Sequence, residues 1–283
     1  MAETLTETLK LERLEVNLFR GTTPQTRMDR IYGGQVIAQS LLAAYETVEG
    51  RACHSLHAYF IRPGDPSVPI VFEVDRARDG GSFTTRRVIA VQHGQQIFNL
   101  AASFQVEEEG FQHQTPVPEH PHWRGLPDTA ALKLLEEKHG VQHVSGAEKV
   151  QKPIDLRWVD ANLDDSLKPP EGQIWFKARD PIAPGSHMHQ VILAYASDMA
   201  LLPTALRPHP VSWRTPGFMG ASLDHAMWFH RPLNFNNWHL YTQDSPAAGG
   251  GRGFTRGAVY DEAGVLVASV AQEGLIRMRR PKA

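Results

Sequence analysis

The sequence has little of what marks a secreted, membrane or nucleic-acid-binding chain. It contains one cysteine, Cys53, in 283 residues. That excludes an intramolecular disulfide and makes a reducing cytoplasm the expected setting. It has no excess of one charge: 29 Lys and Arg stand against 31 Asp and Glu, a formal net charge of −2. No bulk field therefore draws it to nucleic acid or to a membrane surface. Arginine-rich stretches such as 76–87 and 277–282 are interleaved with acids or apolar residues, or lie at a terminus, as solvated faces do. No apolar run approaches a membrane span. The charged opening MAETLTETLKLERLEVNLF has no apolar core of a secretory signal. The closing RRPKA is not the Ser-Lys-Leu peroxisomal address. His187-x-His189 and His120-x-His122 are pairs without a third ligand nearby, so no metal is expected. No cofactor is expected either.

What the chain has is a repeat. The first half carries a helical apolar segment, GGQVIAQSLLAAYETV (33–48), then a strand-like SLHAYFIRPG (55–64) ending in Arg62-Pro63. Residues 70–105 then read as three strands with turns at Asp79-Gly80-Gly81 and His93-Gly94. The second half carries HQVILAYASDMALL (189–202), with Ser186 as the expected N-cap and Pro203 as the stop. It continues with SLDHAMWFHRPL (222–233), ending in Arg231-Pro232, and with strand-like runs at 238–245, 251–261 and 264–277. Gly-Phe-Thr at 253–255 mirrors Ser-Phe-Thr at 82–84, and Ala-Ser-Val-Ala-Gln at 268–272 mirrors Ala-Ala-Ser-Phe-Gln at 101–105. The runs 154–160 and 173–180 precede the second helix, and LEVNLFRG (14–21) takes that part in the first half.

Each half is thus an α+β unit in which an antiparallel sheet wraps a helix that is apolar on most sides. The expected division is 1–110, a surface linker at 111–150 that is Pro- and His-rich and then helical, and 151–283. Two such units can join their sheets edge to edge, with a pseudo-two-fold axis inside one chain.

Three polar residues stand out in the second half. Asp198 has Ala194, Tyr195, Leu201 and Leu202 three or four positions away, which reads as a carboxylate inside an apolar helix. It either caps or pairs with a neighbour, or serves as a base toward water. Gln272 ends the apolar face formed by Leu266, Ala268 and Val270 and must find hydrogen-bond partners, structural or functional. Its echo in the first half, Gln105, favours a structural amide. Ser222 lies in GASLD, which misses the Gly-x-Ser-x-Gly elbow of an α/β-hydrolase at its fifth residue. Aligning Gln35 with Gln190 sets Ala43 opposite Asp198, so one reaction centre per chain is expected. His225 reads as a core residue or a support for its neighbours.

The motifs YGGQVIAQSL (32–41), HAYFIRPGDP (57–66), RDGGSFTTRRV (78–88), AYASDMALLP (194–203), LDHAMWFHRP (223–232), RGFTRG (252–257) and VASVAQEGLIR (267–277) together resemble the TesB-type acyl-CoA thioesterases II. The resemblance covers nearly the whole chain. It implies a double hotdog fold and hydrolysis of fatty acyl-CoA, medium to long chain, to free acid and CoA. It implies that Asp198, Ser222 and Gln272 hold and activate a water, Ser222 standing where some members have Thr. It also implies a homodimer or larger assembly. Gly33 and Gly34, opening the first helix, are oxyanion-site candidates. Arg62, Arg231, Arg252 and Arg256 are candidates for CoA phosphates, with structural ion pairs as the alternative. The competing functions are a hotdog hydratase or dehydratase, whose Gly-Asp-x-Asn-Pro-x-His style loop is not found here, and a non-catalytic acyl-ligand binder.

Overall fold

Alternating apolar and polar residues become strands, and the two runs that are apolar nearly all round become the central helices. The computed structural model describes residues 4–23, 30–138, 153–160, 166–213 and 215–279. In chain order the elements are α1 (Leu5–Leu9), β1 (Leu11–Glu15), β2 (Leu18–Gly21), α2 (Gly33–Tyr45), β3 (Ala52–Phe60), β4 (Ile70–Asp79), β5 (Phe83–Gln92), β6 (Gln95–Gln105), α3 (Thr129–Lys138), β7 (Ile154–Trp158), β8 (Glu171–Ala178), α4 (Met188–Ser197), β9 (Phe218–Ser222), β10 (Asp224–Phe229), β11 (His239–Gly249), β12 (Arg252–Asp261) and β13 (Leu266–Met278). Short 3₁₀ turns cover Trp123–Gly125 and Leu202–Leu206.

The strands form one sheet in the order β1-β2-β4-β5-β6-β3-β10-β13-β12-β11-β8-β7, with β9 paired to β13. The pairings are antiparallel throughout. The order reads alike from both ends, and its centre is the β3–β10 pair, with His57 opposite Ala226. Two hotdog halves are thereby fused into a single curled sheet. His93 (φ 50°) and Gly94 (φ 69°) make the β5–β6 turn. Positive φ at both central residues is what a tight hairpin requires.

The sheet encloses α2 and α4, which run antiparallel in contact. Tyr32, just before α2, donates its hydroxyl to Tyr195 O near the end of α4 (3.0 Å). At the other end the Tyr45 hydroxyl bonds Gln190 Oε1, and its ring stacks on His187 with 4.6 Å between centroids. Gln190 Nε2 donates to Cys53 O, and Cys53 N donates to the Tyr45 hydroxyl, each at 2.8 Å, so β3 is tied to both helices. The helices meet most closely at Gly34, where a Cβ would lie 2.3 Å from Tyr195 O.

Several boundaries differ from the sequence reading. α2 stops at Tyr45, and α4 stops at Ser197, so Asp198 is not inside the helix but is its C-cap (φ −77°, ψ −12°). Ala200 then takes φ 62° and the chain turns into the 3₁₀ segment, where Pro203 sits near the start. Apolar spacing persists through this turn, which is why the sequence reads as one longer helix. His187 is the N-cap of α4, while the Ser186 hydroxyl accepts from Met188 N (3.1 Å). LEVNLFRG splits into the β1–β2 hairpin. α1, closed by a Thr4–Glu7 capping box, has no counterpart in the sequence reading.

Residues after 111 do more than connect. Val117, Trp123 and Leu126 pack with Trp175, Trp238, Leu240 and Tyr260 in a second apolar cluster. Trp123 stacks on Trp238 (5.0 Å), and Trp175 Nε1 donates to Pro121 O (3.0 Å). Residues 139–150 of the expected linker lie outside the described residues.

The tight helix contact yields a prediction. Gly34→Ala pushes a methyl into the Tyr195 carbonyl and destabilises the fold by about 1–3 kcal/mol, as overpacking does. A urea titration should show a lower midpoint with an unchanged slope.

Candidate active site

Ser222 ends β9, paired with Gly274 of β13. Leu223 then breaks the strand, its N–H donating to Glu273 O (2.9 Å), while Asp224 Oδ1 accepts from Glu273 N (2.7 Å). This grip sets the face of β13 at the neighbouring residue, and Gln272 points into the protein, 0% exposed. Its Nε2 donates to Asp198 Oδ1 (2.8 Å) and to Ser222 Oγ (2.7 Å). The Ser222 hydroxyl donates to the same Asp198 Oδ1 (3.3 Å). Side chains far apart in sequence thus converge on one carboxylate oxygen. Gln272 Oε1 is buried without a partner among the described residues.

The residue before Asp198 is held from two strands. Tyr241 on β11 donates its hydroxyl to Ser197 O (2.9 Å). His225 on β10, fully buried, bonds Ser197 Oγ through Nε2 (2.9 Å). Since that hydroxyl gives its proton to Ala194 O (2.9 Å), it accepts from His225, placing the imidazole proton on Nε2. Burial pushes His225 down to about 4, so the ring is neutral at pH 7. Burial, and secondarily the charge of Asp198, pushes the phenol of Tyr195 up to about 12 and those of Tyr32 and Tyr241 well above their ordinary value. These hydroxyls remain donors.

The helix pair shapes the field at Asp198. The carboxylate sits at the negative end of α4, an unfavourable place by itself. The antiparallel packing brings the positive N-terminus of α2 to the same spot, where a Cβ on Gly33 would lie 2.8 Å from Asp198 Oδ2. Of the two glycine candidates, Gly33 faces the carboxylate and Gly34 serves the helix contact.

Two cavities meet at this point. The larger, about 600 Å³, runs past Leu132, Leu156, Ile174, Leu202 and Leu206. The smaller, about 430 Å³, includes Arg30, Gly33, Phe60 and Arg62. Tyr32, Asp198, Trp213 and Ser222 belong to both walls.

Of the four arginine candidates, Arg62 lines the smaller cavity, with Nη1 donating to Gln96 O (2.7 Å). The other three face elsewhere. Arg252 pairs with Glu273 (2.9 Å), Arg256 pairs bidentately with Asp244 (2.9 and 2.6 Å), and Arg231 bonds His230 O (2.8 Å). Arg252 and Arg256 thus meet carboxylates across a β-ladder, whereas Arg231 turns back on the neutral carbonyl of its neighbour. His189 Nδ1 accepts from Phe235 N (3.1 Å), and His122 Nδ1 accepts from Arg124 N (3.2 Å). Gln105 is not the counterpart of Gln272. Gln272 lies opposite Thr255, whose mirror Thr84 lies opposite Phe104. The buried face of β6 carries Leu100, Ala102 and Phe104, and Gln105 lies on the other face, out of register with the buried Gln272.

Sequence reasoning missed Tyr32, Arg30 and Trp213. Tyr32 was available as the residue before the Gly33-Gly34 helix start. Trp213 lies in an irregular segment without periodicity and had no signal.

The fused sheet around two antiparallel helices, with a polar cluster at the junction of two cavities, defines a double hotdog protein. The chain belongs to the acyl-CoA thioesterase family. Residues 148–275 match the family described as acyl-CoA thioesterase, and residues 22–105 match its N-terminal domain. The chain is 41% identical to mouse acyl-coenzyme A thioesterase 8, across 97% of this chain and 89% of that protein. It is 42% identical to an acyl-CoA thioesterase II of Mycobacterium marinum, whose crystal structure superimposes with a TM-score of 0.79 over 96% of this chain and 97% of that one. A hot dog fold protein of Alicyclobacillus acidocaldarius, 18% identical over 96% of this chain and 97% of that one, superimposes with a TM-score of 0.78 and shows the fold alone.

His225 gives a pH prediction. Its folded pKa, about 4, lies below the ordinary 6.5, so the unfolded chain takes up the proton first. Its contribution to stability is complete above 6.5 and is lost as pH falls toward 4. In His225→Gln the slope of stability against pH in that window should flatten by about one proton, roughly 1.4 kcal/mol per pH unit. Denaturant titrations across the window measure it.

Proposed function

We propose that this protein hydrolyses fatty acyl-CoA thioesters, medium to long chain, to free fatty acid and CoA by direct attack of water. The observation that carries the reading is the convergence of Asp198, Ser222 and Gln272 where two cavities join. Asp198 takes a proton from the water as its oxygen attacks the thioester carbonyl. Ser222 and Gln272 fix the orientation of the carboxylate and of the water, which lowers the entropic part of the barrier. The carbonyl oxygen gains charge beside the start of α2, where the Gly33 and Gly34 amides are not used by the helix ladder and Gly33 leaves the backbone open. The C–S bond then breaks, and the proton held by Asp198 passes to the CoA sulfur, restoring the carboxylate. Residues 151–283 supply the reacting groups, and residues 1–110 supply Tyr32, Gly33 and the wall carrying Arg30 and Arg62.

The larger cavity suits an acyl chain, lined as it is by leucine, isoleucine and tryptophan side chains. The smaller one, with its two arginines, suits the phosphate-bearing CoA arm. Asp198→Ala should cut CoA release from palmitoyl-CoA by about 10²–10⁴-fold without lowering thermal stability. Retention of substantial activity would refute the role of Asp198. A hydratase would leave the thioester intact and a binder would change nothing covalent, so a thiol reagent that detects free CoA separates these readings from hydrolysis. Arg62→Ala should raise KM about tenfold at nearly constant kcat, because it removes an interaction common to bound substrate and transition state.

A further inference from the structure

The larger cavity is apolar along most of its wall, yet two buried donors on that wall lack partners among the described residues. Gln243 is 6% exposed, and its Nε2 has no hydrogen-bond acceptor among them. Trp158 Nε1 is likewise buried and unpaired among the described residues. Both residues line the cavity that Asp198 and Ser222 close at the reaction end. Buried donors without acceptors are uncommon, and each costs free energy unless something in the cavity accepts from it.

The strand registers place both donors on the sheet face that carries Gln272. On β12, Thr255 lies opposite Gln272 and Gly257 lies opposite Gln243. On β8, Gly172 lies opposite Gln243 and Ile174 lies opposite Trp158. Residues that alternate by two along a strand, or face each other across a ladder, share a face. Gln243 is therefore two strands across and two residues along from Gln272, about 12 Å following the sheet, and Trp158 is four strands across and four residues along, about 23 Å. A chain entering from the reaction centre passes Gln243 midway and Trp158 near its end.

The cross-strand neighbours of Gln243 are both glycines, Gly257 and Gly172. The Tyr241 ring fills the space over Gly257, whereas Gly172 leaves room beside the Gln243 amide, a Cβ there lying 3.4 Å from Oε1. Gly172 is one of the cavity-lining residues. Glycine in a strand interior weakens it and marks close approach of another group. The amide is also anchored, since Thr204 Oγ1 donates to Gln243 Oε1 (3.1 Å), leaving Nε2 as the free end. Trp158 can only donate through its ring nitrogen. Both free groups therefore call for an acceptor.

We propose that Gln243 and Trp158 form a polar subsite within the acyl cavity that selects acyl-CoA chains carrying an oxygen acceptor, a keto or hydroxyl group, at mid-chain or beyond. The proposal rests on the thioesterase reading and adds to it a class of acyl group. A plain alkyl chain lays methylenes against both donors. An oxygen placed at the depth of Gln243 Nε2 or Trp158 Nε1 satisfies one of them.

The test uses the full chain and non-hydrolysable thioether analogues of CoA, so that binding is read apart from turnover. Calorimetry compares S-palmityl-CoA, its analogue with a mid-chain keto group, and one with a keto group near the chain end. The wild-type protein should bind the mid-chain keto analogue about tenfold more tightly than the plain one, the worth of one buried hydrogen bond. Gln243→Leu should abolish that preference while binding S-palmityl-CoA at least as well as the wild type, and Gln243→Met repeats the test should the leucine variant fail to fold. Trp158→Phe should abolish the preference for the keto group near the chain end and leave the mid-chain preference intact. Equal binding of plain and keto analogues by the wild type, or an unchanged preference in Gln243→Leu, overturns the subsite. A wild-type protein that releases CoA from palmitoyl-CoA without discriminating among the analogues keeps the thioesterase reading and loses the subsite. One that binds no analogue and releases no CoA loses both.

Discussion

The antiparallel contact of α2 with α4 is the constraint from which the site follows. Helix α4 ends in a carboxylate, and the negative end of a helix is where a carboxylate is least welcome. Packing the start of α2 against that end supplies the opposite partial charge and free amides. The contact requires glycine at 34, because nothing larger fits beneath the Tyr195 carbonyl. It also requires that Asp198 lie beyond the last turn of α4, at the C-cap, where the chain can present it to β9 and β13. The sheet then completes the arrangement. Tyr241 and His225 hold Ser197, and Gln272 and Ser222 hold the carboxylate.

The two halves use one architecture for different ends. Where the second half ends its helix with Asp198, the first half ends α2 against a buried guanidinium. Arg86 is 2% exposed, donates to Thr47 O (3.0 Å) and Thr47 Oγ1 (2.8 Å), and pairs with Asp79 (2.6 Å). A cation at a helix C-terminus is the favourable choice. Ala43 stands at the repeat position of Asp198, and the buried face of β6 carries the apolar Leu100, Ala102 and Phe104 where that of β13 carries Gln272. The first half is thus satisfied and apolar where the second half is polar and open to a cavity. Its share in the surroundings of Asp198 comes from the start of α2 and the β3 region that follows.

Much of this was legible in the sequence because repetition and periodicity survive folding. The duplicated helix and strands, and the three polar residues of the second half, could be named from their patterns. Where the reading failed, the pattern outlasted the element. Apolar spacing continued from α4 into the 3₁₀ turn and hid the helix end at Ser197. Similarity of letters set Gln105 opposite Gln272, whereas the alternation of faces along β6 turns Gln105 away from the side that buries Leu100, Ala102 and Phe104. Charge alone marked four arginines. Two of them are paired with carboxylates across a ladder and Arg231 bonds its neighbour's carbonyl, which composition does not reveal. Trp213, in an irregular loop, reaches both cavities only through tertiary packing.

The meeting of two cavities at an elbow has a bearing on turnover. On the proposed chemistry, the bond that breaks lies at the bend, so the two products come to occupy separate arms from the moment they form. The fatty acid does not have to pass the nucleotide to depart, nor the nucleotide the acid. Departure in either order clears one arm while the other is still filled, and inhibition by each product should then depend on the dimensions of its own passage.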